Sequence, residues 1–136
     1  MLQKVLLVED DPIAVMLCTK VIEKTGFAGE IETVYDGRMA IEYYQKLLSQ
    51  SKSGEPQDYP RLILLDLNMP NMTGWEFLEE FIRNFYPFCP ETRVVIISSS
   101  IVPEDRRKAG EYSIVRDFLS KPISVTDIEK ISGDMG

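Results

Sequence analysis

The chain has 136 residues, of which 44% are hydrophobic and 27% are charged, an ordinary composition for one globular domain. Its formal net charge of −7 argues against a nucleic-acid partner, because proteins that bind phosphate backbones present clustered lysine and arginine. The sequence contains no histidine, which excludes a Ser-His-Asp triad, a Cys-His nucleophile pair and a histidine-ligated zinc centre within it. No apolar run approaches the roughly 20 residues that span a bilayer, so we expect a cytoplasmic protein without a membrane partner.

Strand-like and helix-like segments alternate along the whole sequence. Apolar runs predict five strands, at about residues 4–8, 30–35, 62–66, 93–98 and 115–120. Apolar stripes and capping signals predict five helices, at about residues 12–25, 37–49, 74–85, 104–111 and 124–132. This alternation predicts a doubly wound α/β sandwich with a parallel sheet that is covered on both faces. The flavodoxin-like strand order 2-1-3-4-5 fits the count and makes the first and third strands neighbours.

One segment interrupts this alternation. Residues 49–60 are polar and rich in turn-forming residues, which predicts a mobile loop between the second helix and the third strand. The sequence shows no internal repeat and no second domain, so residues 1–136 are expected to form a single domain.

Several residues are assigned structural roles. Asp11 followed by Pro12 predicts the start of the first helix, and Gly26 predicts its end. The two cysteines match no zinc spacing, and we interpret Cys18 as a buried thiol and Cys89 as a loop thiol. The aromatic side chains near Trp75 indicate helix packing, and the acids of the same helix are expected to face solvent.

Four predicted strands end in residues of functional interest. These ends are Glu9-Asp10-Asp11, Asp66, Ser98-Ser99-Ser100 and Lys121-Pro122. The carboxyl ends of parallel strands meet at one edge of an open sheet, which is where such sheets hold their ligands. We therefore expect acidic, hydroxyl and amine groups to converge there.

The acids at this edge predict a cation site. Two carboxylates about 4 Å apart repel by about 4 kcal/mol at an effective dielectric constant of 20, and a divalent cation removes that repulsion. With oxygen ligands alone, Mg²⁺ is the natural choice. A carboxylate is also a competent nucleophile toward phosphorus, and phosphoryl transfer needs positive charge around three equatorial oxygens. Mg²⁺, Lys121 and the Ser98 hydroxyl are the groups that would surround a phosphoryl group on Asp66.

Four segments together resemble a known family. The segments are Val5–Asp11, Leu62–Gly74, Val94–Ser98 and Phe118–Pro122. In this order along the chain, they are similar to the motifs of the receiver domain of two-component response regulators, and the match covers essentially the whole chain. The chain closely resembles the single-domain, chemotaxis-type members, which have no output domain.

The resemblance implies a role for each acid. Asp66 is the implied phospho-acceptor, and Asp10 and Asp66 are the implied direct Mg²⁺ ligands. The backbone carbonyl of Asn68 completes the metal shell, and Glu9 acts on the metal through water. Because three acids follow each other here, the alignment of the family's acidic pair with them is a choice. We place the pair directly after the first strand and leave Asp11 as the helix cap.

The resemblance also implies roles at the last two strands. Lys121 corresponds to the phosphate-binding lysine, and its bond to Pro122 is expected to be cis. Ser98 and Phe118 correspond to the switch hydroxyl and the switch aromatic, with Ser99 as a competing choice for the hydroxyl.

Two features depart from the family pattern. The interval from Asp10 to Asp66 is long, which the polar loop explains, and a phenylalanine lacks the hydroxyl of a tyrosine at the switch position.

The function implied by the resemblance is signalling, not enzymatic turnover of a substrate. A partner histidine kinase or histidine phosphotransfer protein would donate a phosphoryl group, which adds about −1.5 to −2 charge. The surface of the fourth helix, fifth strand and fifth helix would then change and be recognised by an unknown downstream protein. Two outcomes stay open, a diffusible messenger and a relay or phosphate sink.

Three other functions are compatible with parts of the pattern. A Mg²⁺-dependent phosphatase would use Asp66 as its nucleophile but needs a general acid where Asn68 stands. A flavin-binding relative shares the architecture but needs a hydroxyl- and glycine-rich loop after the first strand, where this chain has three acids. A degenerate receiver would switch without phosphate.

Overall fold

The structure is a computed structural model that describes residues 2–51, 58–99 and 102–135. Five parallel strands form one sheet in the order β2-β1-β3-β4-β5, which confirms the predicted flavodoxin-like α/β fold. The strands are β1 (Leu2–Val8), β2 (Ala28–Val34), β3 (Leu62–Asp66), β4 (Arg93–Ser98) and β5 (Val115–Ser120). The helices are α1 (Pro12–Thr25), α2 (Gly37–Ser49), α3 (Gly74–Asn84), α4 (Pro103–Ala109) and α5 (Val125–Met135), with a short 3-10 helix at Tyr86–Phe88.

The strand β3 lies at the centre of the sheet and is buried along its whole length. Its side chains alternate between two cores. Ile63 and Leu65 belong to the core with α2, α3 and α4, whereas Leu62 and Leu64 belong to the core with α1 and α5. A slip of one residue would exchange these faces, so packing specifies the register strongly. The same register holds Asp66 at the carboxyl edge.

The ends of α1 agree with the sequence. Asp11 is the N-cap, and its side chain accepts a hydrogen bond from the Ile13 amide at 3.0 Å. Gly26 ends the helix in the left-handed region, with φ of 65°. The prediction of Asp11 as a cap is therefore confirmed, and its carboxylate is engaged with the helix.

Element boundaries differ from the predicted ones by a few residues. The strand β2 begins at Ala28 because it pairs with β1 from Leu2 onward. The helix α4 ends at Ala109 because the next residues form a turn, in which the amide of Tyr112 donates to the Ala109 carbonyl. Cys89 follows the 3-10 helix as predicted for a loop thiol, but its side chain is fully buried.

Part of the predicted 49–60 loop can be placed. Ser49 is the last residue of α2, Asp58 lies 3.5 Å from the Lys4 amine, and Tyr59 is buried, whereas residues 52–57 lie outside the described residues. Ser100, the last member of the serine triplet, also lies outside them. In the described part of the chain, no helix has the length and apolar character needed to span a membrane.

Candidate functional site

The residues predicted to form a site are brought to one edge by the parallel sheet. Because β1 and β3 are hydrogen-bonded neighbours, Glu9 and Asp10 follow β1 directly beside Asp66 at the end of β3. The amide of Lys121 donates to the Ser98 carbonyl at 2.9 Å, which holds the end of β5 beside β4. The Lys121–Pro122 bond is cis, as the resemblance implied.

Lys121 links two buried acids. Glu9 is 0% exposed and Asp66 is 2% exposed. The amine of Lys121 forms an ion pair with Glu9 Oε1 and lies 3.3 Å from Asp66 Oδ1. The second oxygen of Glu9 accepts a hydrogen bond from the Asp11 amide at 3.1 Å. Buried charges require such partners, since an unpaired one is strongly unfavourable.

The environment changes the acidity of both partners. Burial, together with the negative charge of Glu9, raises the pKa of Asp66 to about 7, and the charge of Lys121 and the Asn68 amide oppose this rise. Burial alone would lower the pKa of Lys121, but its hydrogen bond to Glu9 and the charge of Asp66 raise that pKa above its ordinary value. A second positive charge would therefore stabilise the ionised form of Asp66.

Three carboxylates are arranged so that one ion can contact all of them. Glu9, Asp10 and Asp66 each offer an oxygen atom, and these oxygens lie within 4.8 Å of one another. Asp10 is exposed, so the cluster opens to solvent on its side. All the donors are hard oxygen atoms and two of them are buried, which fits Mg²⁺. The Asp11 side chain caps α1, and the choice of Glu9 and Asp10 as the metal-binding acidic pair stays a prediction.

The remaining predicted residues lie close by. The Asn68 amide donates to Asp66 Oδ1 at 3.3 Å, and the metal-binding role of its carbonyl stays a prediction. Ser98 is buried at the end of β4, whereas Ser99 is exposed and lines a cavity of about 300 Å³ with Lys121. Alternation along β4 places Ser98 on the same face as Ile96 and Ser99 on the opposite face.

Phe118 is buried in the core on the α4 side of the sheet. It is 7% exposed and shares a core cluster with Ile96. The guanidinium of Arg106, on α4, lies 4.9 Å from the centre of its ring. Ser98 and Phe118 therefore lie on the same side of the sheet, as a switch that uses both residues requires.

Gly74 packs directly against the backbone of Asp66. A Cβ atom on Gly74 would lie 2.5 Å from the Asp66 carbonyl oxygen and 2.8 Å from Leu67 Cα. The Gly74 amide donates to the Leu67 carbonyl at 2.9 Å. The sequence analysis assigns no packing role to this glycine, although its place at the start of a helix after a polar loop is a usable signal for close packing. Gly74 thus helps to position the Asp66 loop.

Gly74→Ala is expected to destabilise the protein by about 1–3 kcal/mol, because the added methyl group collides with backbone and not with a flexible side chain. The measurement is urea unfolding. The matched control is Gly133→Ala on α5, where nothing lies within 4 Å of the added atom, so its free energy of unfolding should be unchanged or slightly raised. Equal effects of the two variants would contradict the close contact at Asp66.

Comparison with known proteins identifies the family. Residues 5–132 match the family described as the response regulator receiver domain. The chain is 34% identical over 126 residues to the probable methanogenesis regulatory protein FilR2 of Methanothrix harundinacea, covering 93% of this chain and 76% of that protein. It is 30% identical over 123 residues to the aerobic respiration control sensor protein ArcB of Escherichia coli, covering 89% of this chain but 14% of ArcB.

Solved structures agree with this match. A two-component response regulator from Cytophaga hutchinsonii has a TM-score of 0.87 and 30% identity, with 98% of this chain and 96% of that chain covered. The chemotaxis protein CheY4 of Vibrio cholerae has a TM-score of 0.72 and 26% identity, with both chains fully covered. Together with the sheet order and the acidic edge, these findings show that the chain belongs to the receiver domains of response regulators.

Proposed function

We propose that this receiver accepts a phosphoryl group on Asp66 in a Mg²⁺-dependent reaction. One observation carries the proposal: the buried Asp66 carboxylate lies between two other acids and the amine of Lys121, at the edge where a ligand can enter. The family assignment and this geometry favour a signalling receiver over the phosphatase and flavin-binding alternatives.

Four groups are proposed to hold the metal ion. Asp10 and Asp66 supply direct carboxylate oxygens, the Asn68 carbonyl supplies a third ligand, and Glu9 acts through water. When bound, Mg²⁺ supplies positive charge that offsets the carboxylates and the phosphoryl oxygens. The support from this chain is the convergence of Glu9, Asp10 and Asp66 on a common point.

Three side chains are proposed to have separate roles in the transfer of the phosphoryl group. An oxygen of Asp66 forms a bond to phosphorus while the phosphorus–nitrogen bond of the donor histidine breaks, and the imidazole leaves with the electrons of that bond and takes up a proton. Lys121, held 3.3 Å from Asp66, places its charge beside the transferred oxygens. The Ser98 hydroxyl is proposed to donate a hydrogen bond to one of them.

The proposed donor is a histidine kinase or a histidine phosphotransfer protein. These 136 residues contain no histidine, so the donor histidine lies outside them. The similarity to a segment of the sensor protein ArcB supports a partner of this class. The transfer then alters a surface that a downstream protein recognises, and the messenger and relay outcomes both stay open. The similarity to CheY4 supports the chemotaxis-type prediction.

The proposed switch couples Ser98 to Phe118. Ser98 moves toward the phosphoryl oxygens, and the Phe118 ring, already buried beside α4, repacks into the space that Ser98 leaves. This reshapes the surface of α4, β5 and α5 and yields two states that a partner distinguishes. A Ser98→Ala variant that is phosphorylated normally and binds its target with unchanged state preference would contradict this coupling.

The proposed function is tested by intact-mass measurement after incubation with acetyl phosphate and Mg²⁺. We expect a gain of one phosphoryl group, which should not form when EDTA is present throughout the incubation. Asp11→Asn is the matched control for Asp66→Asn, which should form no adduct. Asp11 caps α1, so its substitution should leave the adduct on Asp66 in place. The absence of an adduct in protein that binds Mg²⁺ would contradict phosphoryl acceptance, and steady release of phosphate without an adduct would favour a phosphatase.

A further inference from the structure

The helix α4 has a small buried face. Of its seven residues, Pro103–Ala109, only Ala109 is buried. Its N-cap is Val102, whose side chain has no atom that accepts hydrogen bonds from the first turn. The hydrophobic core therefore holds this helix weakly, and its position depends on contacts made by its exposed side chains.

Three contacts join α4 and the turn that follows it to α3. The amine of Lys108 lies 4.7 Å from the centre of the Trp75 ring. The ring of Tyr112, just after α4, stacks on Trp75 with centroids 6.0 Å apart and planes 21° apart. The hydroxyl of Tyr112 donates a hydrogen bond to the carboxylate of Glu79 on α3. That hydrogen bond raises the pKa of Tyr112 to about 12.

The same group of residues is joined to the site. Trp75 follows Gly74 in the sequence. The Gly74 amide donates to the Leu67 carbonyl at 2.9 Å, and Gly74 packs so closely against the Asp66 carbonyl that no side chain would fit between them. A displacement of the backbone at Asp66 therefore displaces the start of α3 and, with it, the ring on which Lys108 and Tyr112 rest.

We propose that Trp75, Glu79, Lys108 and Tyr112 form a latch that holds α4 against α3 in the resting state and opens when the site is occupied. The proposal rests on the proposed function, because opening is driven from Asp66. It adds a second connection between the site and α4, separate from Ser98 and Phe118. Since the latch stabilises the resting state alone, weakening it increases the population of the switched state.

The first test measures the affinity of the protein for beryllofluoride, used as a phosphoryl analogue, in the presence of Mg²⁺. Tyr112→Phe keeps the stacked ring and removes the hydroxyl bond to Glu79. We expect this variant to bind beryllofluoride about three- to tenfold more tightly by ¹⁹F NMR titration, because loss of one hydrogen bond from the resting state appears as a gain in affinity for a ligand of the switched state. A purely structural role would not tighten binding.

A matched control is available on the 3-10 helix. Tyr86→Phe also removes a hydroxyl that takes part in a hydrogen bond, here accepted from Arg93 at 3.3 Å, but Tyr86 takes no part in the contacts that join Trp75, Glu79, Lys108 and Tyr112. Its beryllofluoride affinity should equal that of the unaltered protein. Equal affinities for Tyr112→Phe and the unaltered protein would overturn the latch. Trp75 is the sole tryptophan, so unchanged emission on beryllofluoride binding would also overturn it.

The second test separates the latch from the phosphoryl chemistry. In metal-free protein, backbone amides in the last turn of α4 should exchange with deuterium several-fold faster in Tyr112→Phe than in Tyr86→Phe. Unchanged exchange would overturn the latch even in a protein that binds beryllofluoride. If the unaltered protein binds no beryllofluoride, the proposed function fails, and the exchange rates still decide whether the latch exists.

Discussion

Asp66→Asn is expected to abolish the phosphoryl adduct and, at the same time, to make the metal-free protein more stable. The adduct is lost because the amide oxygen is not a nucleophile toward phosphorus. The stability rises because burial and the charge of Glu9 raise the pKa of Asp66 to about 7, so the ionised acid opposes folding at pH 8. We expect a gain of about 2 kcal/mol by urea unfolding in EDTA, after allowing for screening by water at the edge of the site.

The pH dependence follows from the direction of this shift. The pKa of Asp66 is near 3.8 in the unfolded chain and about 7 in the folded protein, so between these values the folded state binds more protons. Stability of the unaltered protein in EDTA should therefore fall as the pH rises from about 4 to about 7, through the contribution of Asp66. The two proteins should have similar stability below pH 4 and differ most above pH 7.

A surface aspartate provides the control for this prediction. Asp58→Asn removes an acid that lies 3.5 Å from Lys4 but whose side chain is 77% exposed, so its effect on stability should be below about 0.5 kcal/mol at every pH. If Asp66→Asn were less stable than the unaltered protein at pH 8 in EDTA, this would contradict the conclusion that the folded protein disfavours the ionised form of Asp66.

Lys121→Met is expected to change stability in the opposite direction. Methionine preserves most of the length of the side chain but leaves Glu9 and Asp66 without the cation between them. Breaking a buried ion pair by removing one partner costs about 3 kcal/mol, which should appear in urea unfolding at pH 8 in EDTA. The loss should shrink at low pH, where the carboxyl groups take up protons, and Mg²⁺ should restore part of it.

Lys130→Met is the matched control for this substitution. Lys130 lies 3.5 Å from Asp117 with a side chain that is 66% exposed, so its removal should change the free energy of unfolding by less than about 0.5 kcal/mol. The double variant Asp66→Asn with Lys121→Met should be more stable than the sum of the two single effects predicts, because in Lys121→Met the Asp66 charge has lost the amine that offsets part of its burial. Strict additivity would show that the two residues do not interact.

The location of the site was predictable from local patterns. The run Leu62–Leu65 predicts a strand covered on both faces, and a charged residue that follows it is then expected at the strand end. Since parallel strands end at one edge, the same reasoning placed Glu9, Asp10 and Lys121 beside Asp66. Asp11 before Pro12 likewise identified a helix cap, because capping depends on neighbours within three residues.

Other features depend on contacts between distant parts of the chain. Cys89 was expected in a loop, and its complete burial follows from packing against residues of other elements. Glu79 of α3 is exposed, as the sequence predicts, and it also accepts a hydrogen bond from Tyr112, 33 residues further along the chain. The sequence predicts that Trp75 takes part in helix packing, but nothing in the local sequence indicates its stacked partner after α4, Tyr112.

By itself, the sequence determined the order of strands and helices, the edge at which the acids gather and the family to which the chain is similar. These properties follow from the periodicity of apolar residues and from short-range capping and turn signals. Only the tertiary structure decided that one amine is shared by Glu9 and Asp66, that Gly74 touches the Asp66 backbone and that α4 rests on Trp75. Such contacts depend on side-chain direction and on distances of a few ångströms, which residue spacing does not specify.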